Sequence, residues 1–373
     1  MQYSIVDTHF HIWERKDIPI EWIKHTKFDR DFSFEDYLKA YENIHLIGGV
    51  YIEIDSSDKQ KEFAYISNLA RQKNKILGIV THTDTYLESI GVKKICGVRE
   101  VLHTAKSTKI NDKKFLETLS QIAKTKDFVF EACVLSDDIP ELAKLAKEFK
   151  NLKIVLNHFG NPDIQNLENY KRDLLLLRDC ANVYCKLSPS DHFDLQISQE
   201  KYEKLFAIVF EIFGKERMVF GSNYPVSSFT PKEWLEITTK NLKKLKLNDL
   251  DISKIYKDNA YLLYSISSPI QRFGQVIKVK KEKLDEYIAL HSNVWKGVND
   301  ALKKSNIQNY SIYHYKDFLF AYFEYVGEDF AKDMEKIAQD PITKEWWKCT
   351  DPCQVSLSKT QQWLDIQEVF HLD

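Results

Sequence analysis

A (β/α)8 barrel followed by a small α+β domain of ferredoxin-like topology is the fold class this sequence predicts, on three observations. Eight short, largely apolar runs rich in β-branched residues recur between residues 4 and 223, most of them separated by amphipathic helical stretches. Continuous apolar strands alternating with helices describe a parallel sheet buried on both faces. After a Ser/Pro/Gly stretch, SISSPIQRFG at 265–274, the order of elements changes to β-α-β-β-α-β. A chain of 373 residues accords with two domains, one of them a barrel that absorbs roughly 250 residues. The expected bounds are 1–266 for the barrel and 270–373 for the second domain, with the boundary near 268.

The barrel strands are expected at SIVDTH (4–9), LIGGVYIEI (46–54), ILGIVTHT (76–83) and ICGVREVL (95–102). FVFEACVL (128–135), LKIVLNHF (152–159), NVYCKLS (182–188) and RMVFGSN (217–223) complete the set. Between them, stretches such as DKKFLETLSQIAKTK (112–126) and IPELAKLAKEFK (139–150) repeat apolar residues every three or four positions, with Lys and Glu on the other face. A doubly wound open sheet is the competing arrangement, but no Gly-x-Gly-x-x-Gly turn follows the first strand. In the second domain a strand at GQVIKVKKE leads into one long helix, 282–304, and then into adjacent strands at NYSIYHYKD and FLFAYFEYVG. A helix at EDFAKDMEKIAQD, the short ITKEWWK segment and a last strand at IQEVFHL follow.

Charge narrows the function. Fifty-three basic side chains against fifty-five acidic ones leave a formal net of −2, which argues against nucleic acid or an anionic membrane as partner. No apolar run approaches the ~18 residues that span a bilayer, and the start MQYSIVDTHF lacks the basic-then-apolar form of a signal peptide. Six cysteines are too few for a disulfide scaffold and are expected as reduced thiols in a cytoplasmic protein.

In a barrel the catalytic groups come from the C-terminal ends of the strands. Those ends carry His9 and His11, then Glu53 and Asp55, then His82, and then Arg99, Glu100 and His103. His158 ends the sixth run, Lys186 and Ser188 the seventh, and Asn223 the eighth. Taken singly, His82 or His103 has a plain reading as a solvated loop residue. His9 and His11 differ, because alternation along a strand points both to one side, where they can converge on one ion or one oxyanion. Glu53 and Lys186 are candidates for holding substrate.

In the second domain Tyr287, His291 and Trp295 stand four residues apart, one stripe on a single helix. Such a stripe usually packs in a core, the reading taken for Trp295, but an ionisable His291 inside it needs a partner. Trp346 and Trp347 cannot both face one core, so one of them is expected to line a cavity, where aromatic faces suit the C–H face of a sugar.

The blocks DTHFHIW, GVREVLH, VLNHFGNP, CKLSPS and VFGSNYPV resemble, in order and spacing, the branch of the amidohydrolase superfamily that contains sugar lactonases. That resemblance covers about residues 1–265 and implies that His9, His11 and His158 bind a metal or a carbonyl, while Arg99 holds a substrate oxygen. It implies one divalent metal, zinc, as the candidate cofactor. The family carries Asp where this chain has Asn223, and often Asp where it has Asn157. An amide cannot take a proton, and general-base help is worth ~10²–10⁴-fold. The base must then be Glu53 or Glu100, or a metal-bound hydroxide. Asn223 is expected to hold the substrate carbonyl or the attacking water.

Residues 271–373 resemble the L-rhamnose mutarotase family through EYIALHSNVW, NYSIY, FLFAYFE, EWWK and LDIQEVFHLD. The resemblance implies a cofactor-free sugar site of Tyr287, His291, Tyr310, Trp346 and Trp347, with His291 as proton donor or acceptor. After Trp347 the chain departs from the family with KCTDPCQVSLSK, in which Cys349-x3-Cys353 has no second pair and is taken as structural or incidental. Together the two resemblances imply a bifunctional enzyme of 6-deoxy-L-sugar breakdown, L-fucose ahead of L-rhamnose, that joins lactone hydrolysis to anomer interconversion. The alternatives are a decarboxylase barrel, or a non-catalytic sugar-binding barrel, beside an active mutarotase. One bare sheet face in the second domain leads us to expect a homodimer formed through it.

Overall fold

A computed structural model describes residues 3–102, 109–190 and 197–371. The chain divides into two compact units, Met1–Ser267 and Ser268–Asp373. His103, one of the expected strand-end residues, lies outside the described residues.

The first unit is a parallel barrel. Its strands are β1 (Ile5–Phe10), β2 (Leu46–Ile52), β3 (Ile76–His82), β4 (Ile95–Val101), β5 (Val129–Cys133), β6 (Lys153–Leu156), β7 (Val183–Leu187) and β8 (Met218–Phe220). Each pairs with the next in sequence order, which sets aside the doubly wound alternative. The ring closes where Asn223 N–H donates to the His9 carbonyl at 2.8 Å and His11 N–H to the Tyr224 carbonyl at 2.7 Å. An inner core of Val6, Val50, Val80, Val129, Val155 and Val219 packs with Ala260, Leu263 and Tyr264 from the Asn259–Tyr264 helix. The barrel is therefore filled, and its chemistry is confined to one end. At Gly97 a Cβ would stand 2.5 Å from a Val129 methyl and 2.6 Å from its carbonyl, so only glycine allows β4 and β5 to approach there.

Helices cover the outside for local reasons. Asp112 caps the Lys113–Ile122 helix by accepting from Phe115 N–H, and Phe115, Leu119 and Ile122 form its buried stripe. Thr230 and Glu233 form a capping box ahead of Pro231–Lys244, whose Trp234 is fully buried. Such caps contribute ~1 kcal/mol each, and burial of a large apolar side chain ~1.5–3 kcal/mol.

The second unit is an antiparallel sheet in the order β10-β11-β9-β12, with β13 also on β9. The strands are β9 (Gln271–Val279), β10 (Ile307–Tyr315), β11 (Phe318–Tyr325), β12 (Gln354–Val355) and β13 (Leu364–Ile366). A central first strand flanked by the third and fourth is the ferredoxin-like order. Four expectations are corrected here. The long helix 282–304 is two helices, Leu284–Ser292 and Lys296–Lys304, broken at Asn293 with φ −142° and ψ 62°. Ser292 and Asn293 favour caps over helix interiors, and Trp295 becomes the N-cap of the second piece, 40% exposed, instead of a core residue. The last strand is not IQEVFHL but Leu364–Ile366, because β9 offers its free edge there, with Ile366 opposite Gly274. The linker is also shorter than expected, since Gln271 already pairs with Tyr325.

Candidate functional site

At the C-terminal mouth of the barrel, two imidazoles converge. His9 is the last residue but one of β1 and His11 follows the strand, and their Nε2 atoms lie 3.2 Å apart. His11 Nδ1–H donates to the Ile52 carbonyl at 2.7 Å, which leaves its Nε2 as the lone-pair nitrogen. Asp7 sets the strand from behind, accepting from His9 N–H (3.0 Å), Ser222 N–H (2.8 Å), Ser222 Oγ–H (2.6 Å) and Tyr41 O–H (2.8 Å). His158 does not end a strand as expected, because β6 stops at Leu156 and the chain turns left-handed at His158 (φ 51°) and Phe159 (φ 58°). Non-glycine residues in that region cost of order 1–3 kcal/mol each and cluster at functional sites. The turn brings the His158 ring centroid 4.6 Å from that of His9, and Nδ1 shares a hydrogen bond with Ser188 Oγ at 2.8 Å.

The charged form of all three rings is disfavoured. Burial lowers the pKa of each, helped at His9 by the Lys186 ammonium and at His11 by the Arg99 guanidinium. Asn223, left-handed at φ 54°, donates from Nδ2 to the Pro189 carbonyl at 3.0 Å, and its side chain also bonds to His11. Asn is among the few residues that take this backbone conformation readily.

The expected substrate-holding residues part company. Arg99 reaches the site, steadied by donating from Nη1 to the Glu53 carbonyl (2.8 Å) and to Glu53 Oε1 (3.2 Å), while its buried Nε has no partner among the described residues. Glu53 is spent on this contact and on Asp55 N–H at 2.8 Å. It orients Arg99 and is a poor base. Lys186 is 0% exposed and donates to the Thr8 carbonyl and to both oxygens of Glu131, each at 2.8 Å. Its donors are consumed, so it supports the site from below and does not touch substrate. Glu100 accepts from Thr83 Oγ–H and lies 3.5 Å from His82 Nε2, while His82 caps the turn after β3 by accepting from Asp84 N–H. That pair fastens the loop between β3 and its helix.

Two residues were missed in the sequence. Glu131, 0% exposed, gathers Lys186, Asn157 Nδ2–H and Tyr264 O–H on one carboxylate. Cys133, two residues on, hydrogen-bonds to both Arg99 and His158. The available signal was a carboxylate inside an otherwise apolar strand, FVFEACVL.

Two of the candidate metal ligands fit an ion. Tetrahedral coordination at ~2.0–2.1 Å sets two imidazole nitrogens about 3.3 Å apart, close to the 3.2 Å between His9 and His11. Among the described residues no group of three or more His, Cys, Asp or Glu side chains is arranged to hold a metal, so His158 stands outside that pair. Asn223 supplies a neutral amide where a carboxylate would balance the charge.

The second unit holds an open cavity of 720 Å³ between sheet and helices. Tyr287, His291, Tyr310, Trp346 and Trp347 all line it, Trp346 5% and Trp347 38% exposed. His291 stacks on Tyr287 with centroids 4.0 Å apart and meets Trp346 edge-on at 5.3 Å. Its Nδ1–H donates to the Tyr287 carbonyl at 3.0 Å, which leaves Nε2 as the ring nitrogen outside that bond. Burial lowers its pKa, with the Tyr287 carbonyl pulling the other way. Cys349 and Cys353 are free thiols, as are the other four cysteines. No helix among the described residues is long and apolar enough to cross a membrane.

Residues 6–266 match the family described as Amidohydrolase, and residues 272–372 the family described as L-rhamnose mutarotase. The second unit is similar to the L-rhamnose mutarotase of Lactiplantibacillus plantarum, 37% identical over 105 residues, 27% of this chain and 98% of that protein. The barrel is similar to the L-fucono-1,5-lactonase of Burkholderia ambifaria, 25% identical over 241 residues, 60% of this chain and 80% of that protein. A solved amidohydrolase from Burkholderia multivorans with bound zinc shares the barrel fold with a TM-score of 0.62 at 19% identity, over 70% of this chain and 99% of that one.

Proposed function

Because the chain belongs to the amidohydrolase family, and its C-terminal unit to the L-rhamnose mutarotase family, we propose that it hydrolyses a 6-deoxy-L-aldonolactone and interconverts the anomers of the parent sugar. The convergence of the His9 and His11 Nε2 atoms beside His158 and Arg99 carries the first half. Arg99 donates to a lactone oxygen through the donors that Glu53 leaves free, and Asn223 orients the carbonyl or the attacking water. Buried, fixed donors of this kind stabilise a developing oxyanion without reorganising. A divalent ion, zinc, would be held by His9 and His11 and would polarise the carbonyl and acidify water. L-Fuconolactone is the first substrate to try, on the likeness to a fuconolactonase, and L-rhamnonolactone the second.

In the second unit His291 Nε2 exchanges a proton with the sugar, Tyr287 positions the ring, and Trp346 and Trp347 supply the stacking surface. No cofactor enters this step. The face of the sheet turned away from the helices carries Tyr313, Tyr315 and Phe320, all substantially exposed, with Ile366 beside them. A contiguous aromatic face pairs with a second copy of itself, giving a homodimer.

Proton release from a panel of L-sugar lactones, with and without chelator, tests the barrel. Hydrolysis of a 6-deoxy-L-aldonolactone supports the reading, and none on any lactone leaves the barrel a binding module. Exchange NMR on α- and β-L-fucose and L-rhamnose tests the second unit.

A further inference from the structure

The mutarotase reading supplies one proton-transfer group, His291, whereas ring opening moves two protons. One must leave the anomeric hydroxyl and another must reach the ring oxygen. Two carboxylates line the cavity, Asp351 and Asp365. Asp365 is engaged, accepting from Gln275 Nε2–H at 2.8 Å and Gln361 Nε2–H at 3.2 Å. The Asp351 carboxylate makes no hydrogen bond or ion pair with any described residue.

Its position is set by the backbone. Asp351 ends the Pro341–Thr350 helix, which carries Trp346 and Trp347 into the cavity, and its N–H donates to the Trp347 carbonyl. The turn Asp351–Cys353 follows, and Cys353 packs against Tyr287, one helical turn before His291. Asp351 also lies in the segment KCTDPCQVSLSK, where the sequence departs from the mutarotase pattern.

We propose that Asp351 is the second catalytic residue of anomer interconversion, paired with His291, which lines the same cavity. This rests on the mutarotase reading of the second unit. The pair carries one proton between its members. As the Asp351 carboxylate accepts the proton of O1, the O1 electron pair forms C1=O, the C1–O5 bond breaks, and His291 Nε2–H delivers its proton to O5. Rotation about C1–C2 and reclosure on the other face reverse both transfers, so the pair ends as it began and no co-reactant is consumed. Partial burial raises the Asp351 pKa and lowers that of His291, which brings the two proton affinities together and eases exchange in both directions.

The test is exchange NMR on the full chain with the 6-deoxy-L-sugar that the wild type interconverts, together with sugar affinity by titration. Asp351→Asn should slow exchange by about 10²-fold or more while affinity and the fold, read by circular dichroism, are kept. Asp351→Glu should recover part of the loss. Wild-type exchange in Asp351→Asn would overturn the assignment, as would a loss of rate accounted for entirely by weaker binding. A wild-type chain that interconverts no 6-deoxy-L-sugar would instead overturn the mutarotase reading beneath it.

Discussion

In the barrel the polar side chains are sealed: His9, Asn157, Lys186 and Glu131 are all fully buried, and each is hydrogen-bonded to a neighbouring polar side chain. In the second unit Tyr310 and Trp347 stand about two-fifths exposed around an open cavity, and the Asp351 carboxylate has no hydrogen-bond or ion-pair partner among the described residues. The difference follows from what each site has to do. Stabilising charge on a lactone carbonyl rewards fixed dipoles in a dry setting, whose desolvation is offset by mutual pairing. Interconverting anomers requires that neither form be gripped tightly, which favours stacking faces and a few exchanging protons over a rigid polar cage.

The largest effect should come from breaking the buried pair. Lys186→Met leaves Glu131 as an uncompensated internal charge and should cost ~3–5 kcal/mol of stability. Lys186→Met with Glu131→Gln should recover much of it. Asp365→Asn in the exposed Gln275–Asp365 contact should change stability by less than about 0.5 kcal/mol. Denaturant melts of the full chain check all three, and equal costs at the two places would erase the contrast.

The pH dependence of stability sharpens the same comparison. His9, His11 and His158 have folded pKa values below the ordinary value of 6.5, so below that pH the unfolded chain binds more protons than the folded one. Stability should be full above about pH 6.5 and fall as the pH drops from there toward the folded values. In chelator, His9→Gln should flatten that fall more than His291→Gln, because His291 is only partly buried. A fall unaffected by His9→Gln would place the titrating groups elsewhere.

These contrasts were unequally legible in the sequence. The eight barrel strands could be read because each is a continuous apolar run of the right length, and the strand ends followed from barrel geometry alone. Glu131 could not be read, because its meaning depends on Lys186 and Tyr264, 55 and 133 residues away. Lys186 was misjudged for the same reason: a strand-end lysine looks available until its partner is known. The helix break at Asn293 was hidden by an i+4 stripe that continues across it, since Trp295 still meets Trp346 edge-on at 5.3 Å after the helix has ended. His158 was found at the right mouth but on a left-handed turn, which no periodicity announces.

Smaller effects are expected at Asn223 and Trp347. Asn223→Asp should fold and keep measurable turnover with stronger metal dependence, while Asn223→Ala should lower lactone turnover, and undiminished turnover in the Ala variant would remove this residue from the mechanism. Trp347→Ala should weaken sugar binding by roughly 0.5–1.5 kcal/mol and leave lactone hydrolysis unchanged, as titration and proton release would report.

The central claim is that one chain carries two separate sites with different chemistries, and the most direct measurement is a crossed assay on two variants of the full chain. Lactone hydrolysis and anomer exchange are followed in wild type, His158→Ala and His291→Ala. The account predicts that His158→Ala loses about 10²-fold or more in lactone kcat/KM with exchange intact. His291→Ala should lose exchange toward the uncatalysed rate with hydrolysis intact. A variant that loses both activities while remaining folded, or two variants that lose neither, would contradict it.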